Sequence, residues 1–275
     1  MILLLYRGSR KHIQRLISTG TEEHAIWLLY MGGHMLSIIV PVYNESRFIS
    51  KTLVSIYEIM RRDLDVPFEI IVVNDGSHDD SAETIMRVLP LIGQARMISY
   101  ANNKGKGFAL QAGLRYCLGS LAAFIDADGE IDPSNLIVMY NDYKDSATPI
   151  IIGRKEFEGS RTLFRRTLTY LSKTLMHSLF RLPVYDTQTG IKLFEVETLR
   201  FLFDACQEDG YLFDLELLFL AHRAGLPMRE QLVKVQMLRQ SRVTAADAGR
   251  AMIRSLSLWG RLHTFHLSFV NNAAD

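Results

Sequence analysis

The chain has 275 residues, 48% of them hydrophobic, enough to bury one large core or two modest ones. Lys and Arg number 31 against 30 Asp and Glu, so no global positive field points to nucleic acid, and none is expected as a partner. Cys117 and Cys206 stand far apart, form no metal-ligand pair, and fit free thiols in a reducing compartment.

Residues 1–34 carry no strand pattern. Their opening MILLL is followed at once by Arg7, Arg10 and Lys11, which is not the order of a secretory signal. Gly32-Gly33, just ahead of Met35, match what a ribosome-binding sequence encodes. Translation is therefore expected to start at Met35, with 1–34 a misassigned leader. No apolar run approaches the about 20 residues needed to cross a bilayer.

From Ser37 to Arg154 apolar runs alternate with segments of helical period. Strands are expected at Ser37–Val42, Phe68–Asn74, Arg96–Tyr100, Leu121–Asp126 and Pro149–Gly153. Helices are expected at Arg47–Arg62, Ser81–Leu89, Gly107–Leu118 and Pro133–Tyr143, the last capped by Asp132 with Pro133 in its first turn. Strands reading as unbroken Ile/Val runs between helices imply an α/β fold, a mostly parallel sheet covered on both faces. In such sheets ligands sit beyond the carboxyl ends of the strands.

Three of those ends are acidic. SIIVPVYNE passes Pro41 and Tyr43 to reach Glu45, EIIVVNDGSHDDS reaches Asp75, and LAAFIDADGEIDP gives Asp126-Ala127-Asp128-Gly129-Glu130. Like charges along one edge repel unless something positive joins them: a divalent cation, a ribose diol, or the N–H groups of a base. VPVYNES lacks a dinucleotide glycine fingerprint, and NNKGKGFAL lacks the spacing of a phosphate loop. A diphosphate is then held most economically by a metal on Asp-x-Asp. On extended chain Asp128 and Glu130 both reach one hard cation, which leaves Asp126 to accept a ribose hydroxyl. Gly105 and Gly107 fit a loop needing close backbone approach.

The ordered series SIIVPVYNE, VVNDGSHDDS, NKGKGFALQAG and FIDADGEIDP resembles glycosyltransferase family 2. Further on, IIGRK, DTQTGIKLF and FDLELL narrow the resemblance to the polyprenyl-phosphate glycosyltransferases, similar to dolichyl-phosphate glucose and mannose synthases. It covers Met35 to Val243 and implies a GT-A type, Rossmann-like domain over 35–243, followed by an amphipathic tail over 244–275. By that resemblance Pro41, Tyr43, Glu45 and Asp75 cradle the nucleoside, with Asp75 accepting a base N–H. Asp126 contacts ribose or metal, Ala127 lies between the two acids, and Asp128 matches the metal-binding aspartate. Glu130 stands where relatives often have Gln, and the cofactor is Mg²⁺ or Mn²⁺. Lys106 neutralises acids or phosphate, Arg154 meets the donor, and Asp186 orients sugar or acceptor near the reacting centre. Asp214 and Glu216 match a second acidic motif, near where other members carry a catalytic base. Arg165, Arg166 and Arg242 bring two anions together, although Gln240 replaces a glycine of the family's stretch before Arg242.

The activity so implied is inverting transfer of a hexose from a nucleotide sugar, of UDP-glucose or GDP-mannose type, to a polyprenyl phosphate. Two alternatives stay open: a saccharide or lipid-linked saccharide acceptor, and a non-catalytic nucleotide-sugar binding subunit of a membrane protein. Arg161–Leu182 sets Arg165, Thr169, Lys173, His177 and Arg181 on one row, opposite Phe164, Leu168, Leu171, Leu175 and Leu179. The tail repeats this with Arg250, Arg254 and Arg261 beside Leu256, Trp259 and Leu262. Both read as interfacial helices, so peripheral contact with the cytoplasmic face of the membrane is expected, direct or through a membrane partner.

Overall fold

The computed structural model describes residues 34–155, 179–210, 212–235 and 253–262. Its strands are β1 (Leu36–Val42), β2 (Phe68–Asp75), β3 (Ala95–Tyr100), β4 (Leu121–Ile125), β5 (Ile150–Lys155), β6 (Ile191–Glu195) and β7 (Met228–Val233). They form one sheet in the order β3-β2-β1-β4-β6-β5-β7. Only β6 is reversed, antiparallel to both β4 and β5, while the other pairs run parallel. That reversal matters for function. It brings the first residue of β6, and the DTQTG loop before it, to the edge where β4 and β5 end, with Lys192 level with Phe124 and Ile152.

Helices cover both faces. On one side α1 (Ile49–Asp63), α2 (Ser81–Val88) and α4 (Ser134–Ser146) pack over Ile38, Ile70, Val72, Ile125, Ile151 and Leu193. On the other, α3 (Lys106–Leu114), α5 (Val196–Ala205) and α6 (Phe213–Arg223) pack over Ile39, Ile71, Val73, Phe124, Ile152 and Phe194. Double coverage is why β1 and β2 are apolar at nearly every position instead of alternating. A Cβ on Gly113 of α3 would lie 2.6 Å from Ile39, so this glycine lets the helix sit close against the sheet. The parallel sheet with helices on both faces is thus the architecture expected from the apolar runs.

Element ends differ by small amounts. The third helix begins at Lys106 and ends at Leu114, and the fourth begins at Ser134, where the Asp132 carboxylate accepts the Ser134 N–H at 2.9 Å. Both α5 and β7 fall outside the sequence reading. MREQLV is an edge strand with exposed and half-buried positions, so it shows no apolar run.

Residues 253–262 form a helix that docks on the α3/α5/α6 side. Leu258 is buried, the Trp259 indole N–H donates to the Leu179 carbonyl at 2.9 Å, and Arg261 reaches Glu208 at 2.9 Å and Glu216 at 3.2 Å. The expected interfacial row therefore divides. Trp259, Leu262 and Arg261 turn toward the domain, where an apolar cluster receives the first two and the carboxylates of Glu208 and buried Glu216 receive the third, while Ile253 and Leu256 remain exposed. Most of Arg161–Leu182 lies outside the described residues.

At the amino end of the strands, away from the acidic tips, Glu69 is buried. Its carboxylate accepts the Ser37 hydroxyl and the Leu118 N–H, both at 2.7 Å, and pairs with Arg96. Substituting Glu69→Ala strands these donors and is expected to cost about 2–4 kcal/mol in urea denaturation, with Arg96→Ala costing clearly less.

Candidate active site

The loops after β1 and β2 are stitched together. Asn44, in the left-handed region at φ 55, receives its hydrogen bond from the His78 N–H at 2.8 Å and donates its own N–H to Ser77 Oγ at 3.0 Å. The Glu45 N–H donates to Ser81 Oγ at 2.8 Å and the Ser46 N–H to Asp79 at 3.1 Å. Desolvation opposes ionisation of the Asp79 carboxyl, but hydrogen bonds from Ser81 and Ser46 hold it down at about 2. Tyr43 is exposed beside His78, and Pro41 lies within β1 opposite Val73. Asn44, Ser77, Asp79 and Ser81 thus tie the two loops together. Asn44 and Ser77 lie in the strand-end stretches that the sequence marked, whereas Asp79 and Ser81 were passed over, although the spacing of YNES and GSHDDS was visible.

Asp75 is turned to its own chain. Its carboxylate accepts the N–H groups of Lys104 at 2.7 Å and Gly105 at 2.9 Å, and the Asn103 amide at 3.0 Å. It anchors the NKGKG loop. Gly105 has φ 100, and a Cβ there would lie 2.4 Å from the Asp209 carbonyl, to which the Gly107 N–H donates at 2.8 Å. The close approach expected of these glycines is made to residues 208–210 and to the Phe213 ring.

That packing sets Lys106 at the head of α3, where four charges alternate. The Lys106 ammonium lies 2.8 Å from Asp126 and 3.8 Å from Asp214. Asp214, in the first turn of α6, is met from its other oxygen by Lys192 at 2.7 Å, and Lys192 also donates to the Thr189 carbonyl at 2.7 Å. Lys192 is fully buried, and burial lowers its pKa despite the Asp214 charge. For Lys106, burial works against the charge, but Asp126, Asp214 and Asp128 outweigh it and hold the ammonium protonated well above the usual lysine range. Asp126 is seated firmly: its N–H donates to the Gly190 carbonyl at 3.0 Å, and a Cβ on Gly190 would fall 1.7 Å from its carboxylate. Lys192 was not singled out from sequence, yet a lysine inside the apolar run GIKLF carried the signal.

Beyond Asp126 the chain turns. Asp128 accepts the Glu130 N–H at 3.0 Å, and the carbonyl of buried Ala127 accepts the Thr52 hydroxyl at 3.0 Å. Among the described residues no three acidic, His or Cys side chains converge on a closed metal cage. The donor set fits a different mode of binding, in which Mg²⁺ takes one or two carboxylates and completes its shell with phosphate and water. Charge supports the fit. Asp126, Asp214 and Asp128 all favour the charged form of Lys106, so this edge already stabilises positive charge.

The DTQTG loop is held from β7. Glu230 accepts the N–H groups of Tyr185 at 2.6 Å and Asp186 at 3.0 Å, while its other oxygen lies 3.5 Å from Arg154. Asp186 is buried and accepts the Lys155 N–H at 3.4 Å. Arg154 is therefore tied to Glu230, a residue that no sequence pattern marked because its strand went unrecognised. Glu216 parts company with Asp214. It accepts the N–H groups of Gln207 and Glu208 at 2.9 and 2.6 Å and meets Arg261, so it fastens the 206–208 turn to the C-terminal helix. Arg165, Arg166 and Arg242 lie outside the described residues.

A doubly covered sheet with acidic strand tips set against Lys106 and Lys192 is an α/β architecture, and the sequence comparison gives it a family. The model of glycosyl transferase family 2 matches residues 37–203, and the chain belongs to that family. It is 30% identical to a dolichyl-phosphate beta-glucosyltransferase of Trichomonas vaginalis over 71% of this chain and 64% of that one. The human protein of that name is 30% identical over 71% of this chain and 65% of its own length. The Drosophila melanogaster protein is 31% identical over 82% and 74%. This chain thus spans less than two thirds of the first two. Among solved structures, glucosyl-3-phosphoglycerate synthase from Mycobacterium tuberculosis, in complex with Mn²⁺, UDP-glucose and phosphoglyceric acid, superposes with TM-score 0.62 at 20% identity, over 86% of this chain and 83% of that one. Mannosyl-3-phosphoglycerate synthase from Rubrobacter xylanophilus gives 0.63 at 18%, over 88% and 79%. These likenesses establish the GT-A fold.

Two substitutions separate the roles of these residues. Gly190→Ala drives a methyl group into Asp126 and is expected to destabilise the fold by about 1–3 kcal/mol, read by urea denaturation. Glu216→Ala removes one carboxylate partner of Arg261 and unties the 206–208 turn that carries the other, Glu208; in a Trp27→Phe background, Trp259 emission is expected to shift to the red as the 253–262 helix loosens.

Proposed function

We propose that this chain transfers glucose from a UDP-glucose-type donor to a polyprenyl phosphate of the dolichyl type, with inversion and with the help of a divalent cation. The names of its relatives support the reaction, and the fold neighbour crystallised with Mn²⁺ and UDP-glucose supports the donor. Asp128, with Asp126, would hold the cation, and Glu130 flanks them. When bound, such a cation offsets the charge that develops on the departing diphosphate. Lys106 adds a second positive group at the same place. Asp75 stiffens the loop that carries Lys106, and Glu230 fixes Asp186 beside the end of β5.

One observation favours a phosphate acceptor over a sugar hydroxyl: both oxygens of Asp214 face ammonium groups. Neither is placed to take a proton from an incoming hydroxyl, which requires a base. A phosphate acceptor is already ionised near pH 7 and requires positive charge instead. Arg154, with Arg165, Arg166 and Arg242, would supply it.

No helix among the described residues is long and apolar enough to cross a membrane. Exposed Ile253 and Leu256 beside Arg254, and the basic row of 161–182, support peripheral attachment at the cytoplasmic face. A membrane protein partner is compatible with the same surface.

The test is transfer of radiolabel from a panel of UDP- and GDP-sugars, with Mg²⁺ or Mn²⁺, to a short polyprenyl phosphate. Label from UDP-glucose is expected in the organic phase, none with the neutral polyprenol, and Asp128→Ala is expected to lose about 100-fold or more. Label that enters only a saccharide acceptor would contradict the reading. In flotation with anionic liposomes at low salt the protein is expected to rise with the lipid; a protein left wholly in the soluble fraction removes membrane attachment.

A further inference from the structure

Resting on the cation-assisted reading above, we propose that Lys106 is a built-in counter-ion that occupies Asp126 until a nucleotide diphosphate arrives, and so couples divalent-cation binding to donor binding. Four observations carry this. The Lys106 ammonium already sits 2.8 Å from Asp126, where a cation would bind. Asp126 has little freedom to turn away, because its carboxylate lies directly over Gly190 and its N–H is tied to that residue's carbonyl. Asp214 stands only 3.8 Å from the same ammonium, a short step away. And Lys192, at 2.7 Å, already compensates Asp214, so Lys106 is not needed there to balance a buried charge.

The consequence is electrostatic. A divalent cation approaching Asp126 must displace Lys106 or tolerate an ammonium beside it, and that repulsion offsets much of the attraction a single carboxylate supplies. A diphosphate reverses the balance. It brings negative charge to both cations and gives Lys106 a new partner within reach of its flexible side chain. Lys106 thus keeps the acidic edge compensated in the empty enzyme and moves toward the leaving group when the donor binds.

The experiment is a Mn²⁺ titration of the full chain followed by electron paramagnetic resonance, with and without UDP. Lys106→Met and Lys106→Gln are expected to bind Mn²⁺ without nucleotide about tenfold more tightly than the unmodified chain, whereas Lys106→Arg stays within about twofold of it. The ratio of Mn²⁺ affinities with and without UDP falls correspondingly in the two neutral variants. Thermal melts establish that they fold. Asp126→Asn supplies an independent test: Lys106 already blocks this carboxylate in the empty enzyme, so nucleotide-free Mn²⁺ binding is expected to be unchanged while binding in the presence of UDP weakens. Equal nucleotide-free affinity in the unmodified chain and the neutral variants, or an Asp126→Asn loss of the same size with and without UDP, overturns the proposal. Failure of the unmodified chain to bind Mn²⁺ even with UDP overturns the cation-assisted reading beneath it.

Discussion

The structure turns on a row of alternating charges, Asp126, Lys106, Asp214 and Lys192, laid across the carboxyl edge of the sheet. Each member comes from a different element: the end of β4, the head of α3, the first turn of α6 and the interior of β6. A fully buried lysine is costly unless paired, so Lys192 fixes where α6 must place Asp214. Asp214 in turn limits where α3 can place Lys106. Reversal of β6 makes the row possible, because a strand running the other way would carry Lys192 and the DTQTG loop off at a different level.

Five further acids near or away from this row have distinct tasks, which shows why acidic residues alone do not define a site. Asp75 anchors a loop through backbone N–H groups. Glu69 secures the opposite end of the sheet, Glu216 fastens the C-terminal helix, Glu230 holds the DTQTG loop, and Asp79 ties the first two loops together. Each is saturated by donors from its own chain. Asp126 differs: among the described residues its carboxylate is held by no backbone N–H hydrogen bond but by a lysine at the end of a flexible stem. On the proposed reading, it is the point at which an incoming ligand exchanges with the protein's own charge.

Much of this was legible in the sequence, for reasons that vary by element. Buried parallel strands announce themselves because both faces are covered, so β1 and β2 were read almost to the residue. The DAD tip followed from its place after such a strand. What escaped depended on long-range pairing. β7 is an edge strand with mixed polarity, so Glu230, and with it the clamp on Asp186, had no visible pattern. Lys192 lay in plain view, but its importance comes from Asp214, 22 residues away in sequence. The glycines of NKGKG were read correctly as sites of close approach, yet their neighbour is the 208–210 turn, which only the folded chain brings there.

The most direct test of the central claim is a crystal structure of the protein with UDP-glucose and Mn²⁺. The account predicts the diphosphate lying along the edge at Asp126 and Asp128, with the Lys106 ammonium moved off Asp126 toward phosphate oxygen while Lys192 keeps Asp214. A nucleotide bound elsewhere, with the contact between Lys106 and Asp126 intact, would contradict it.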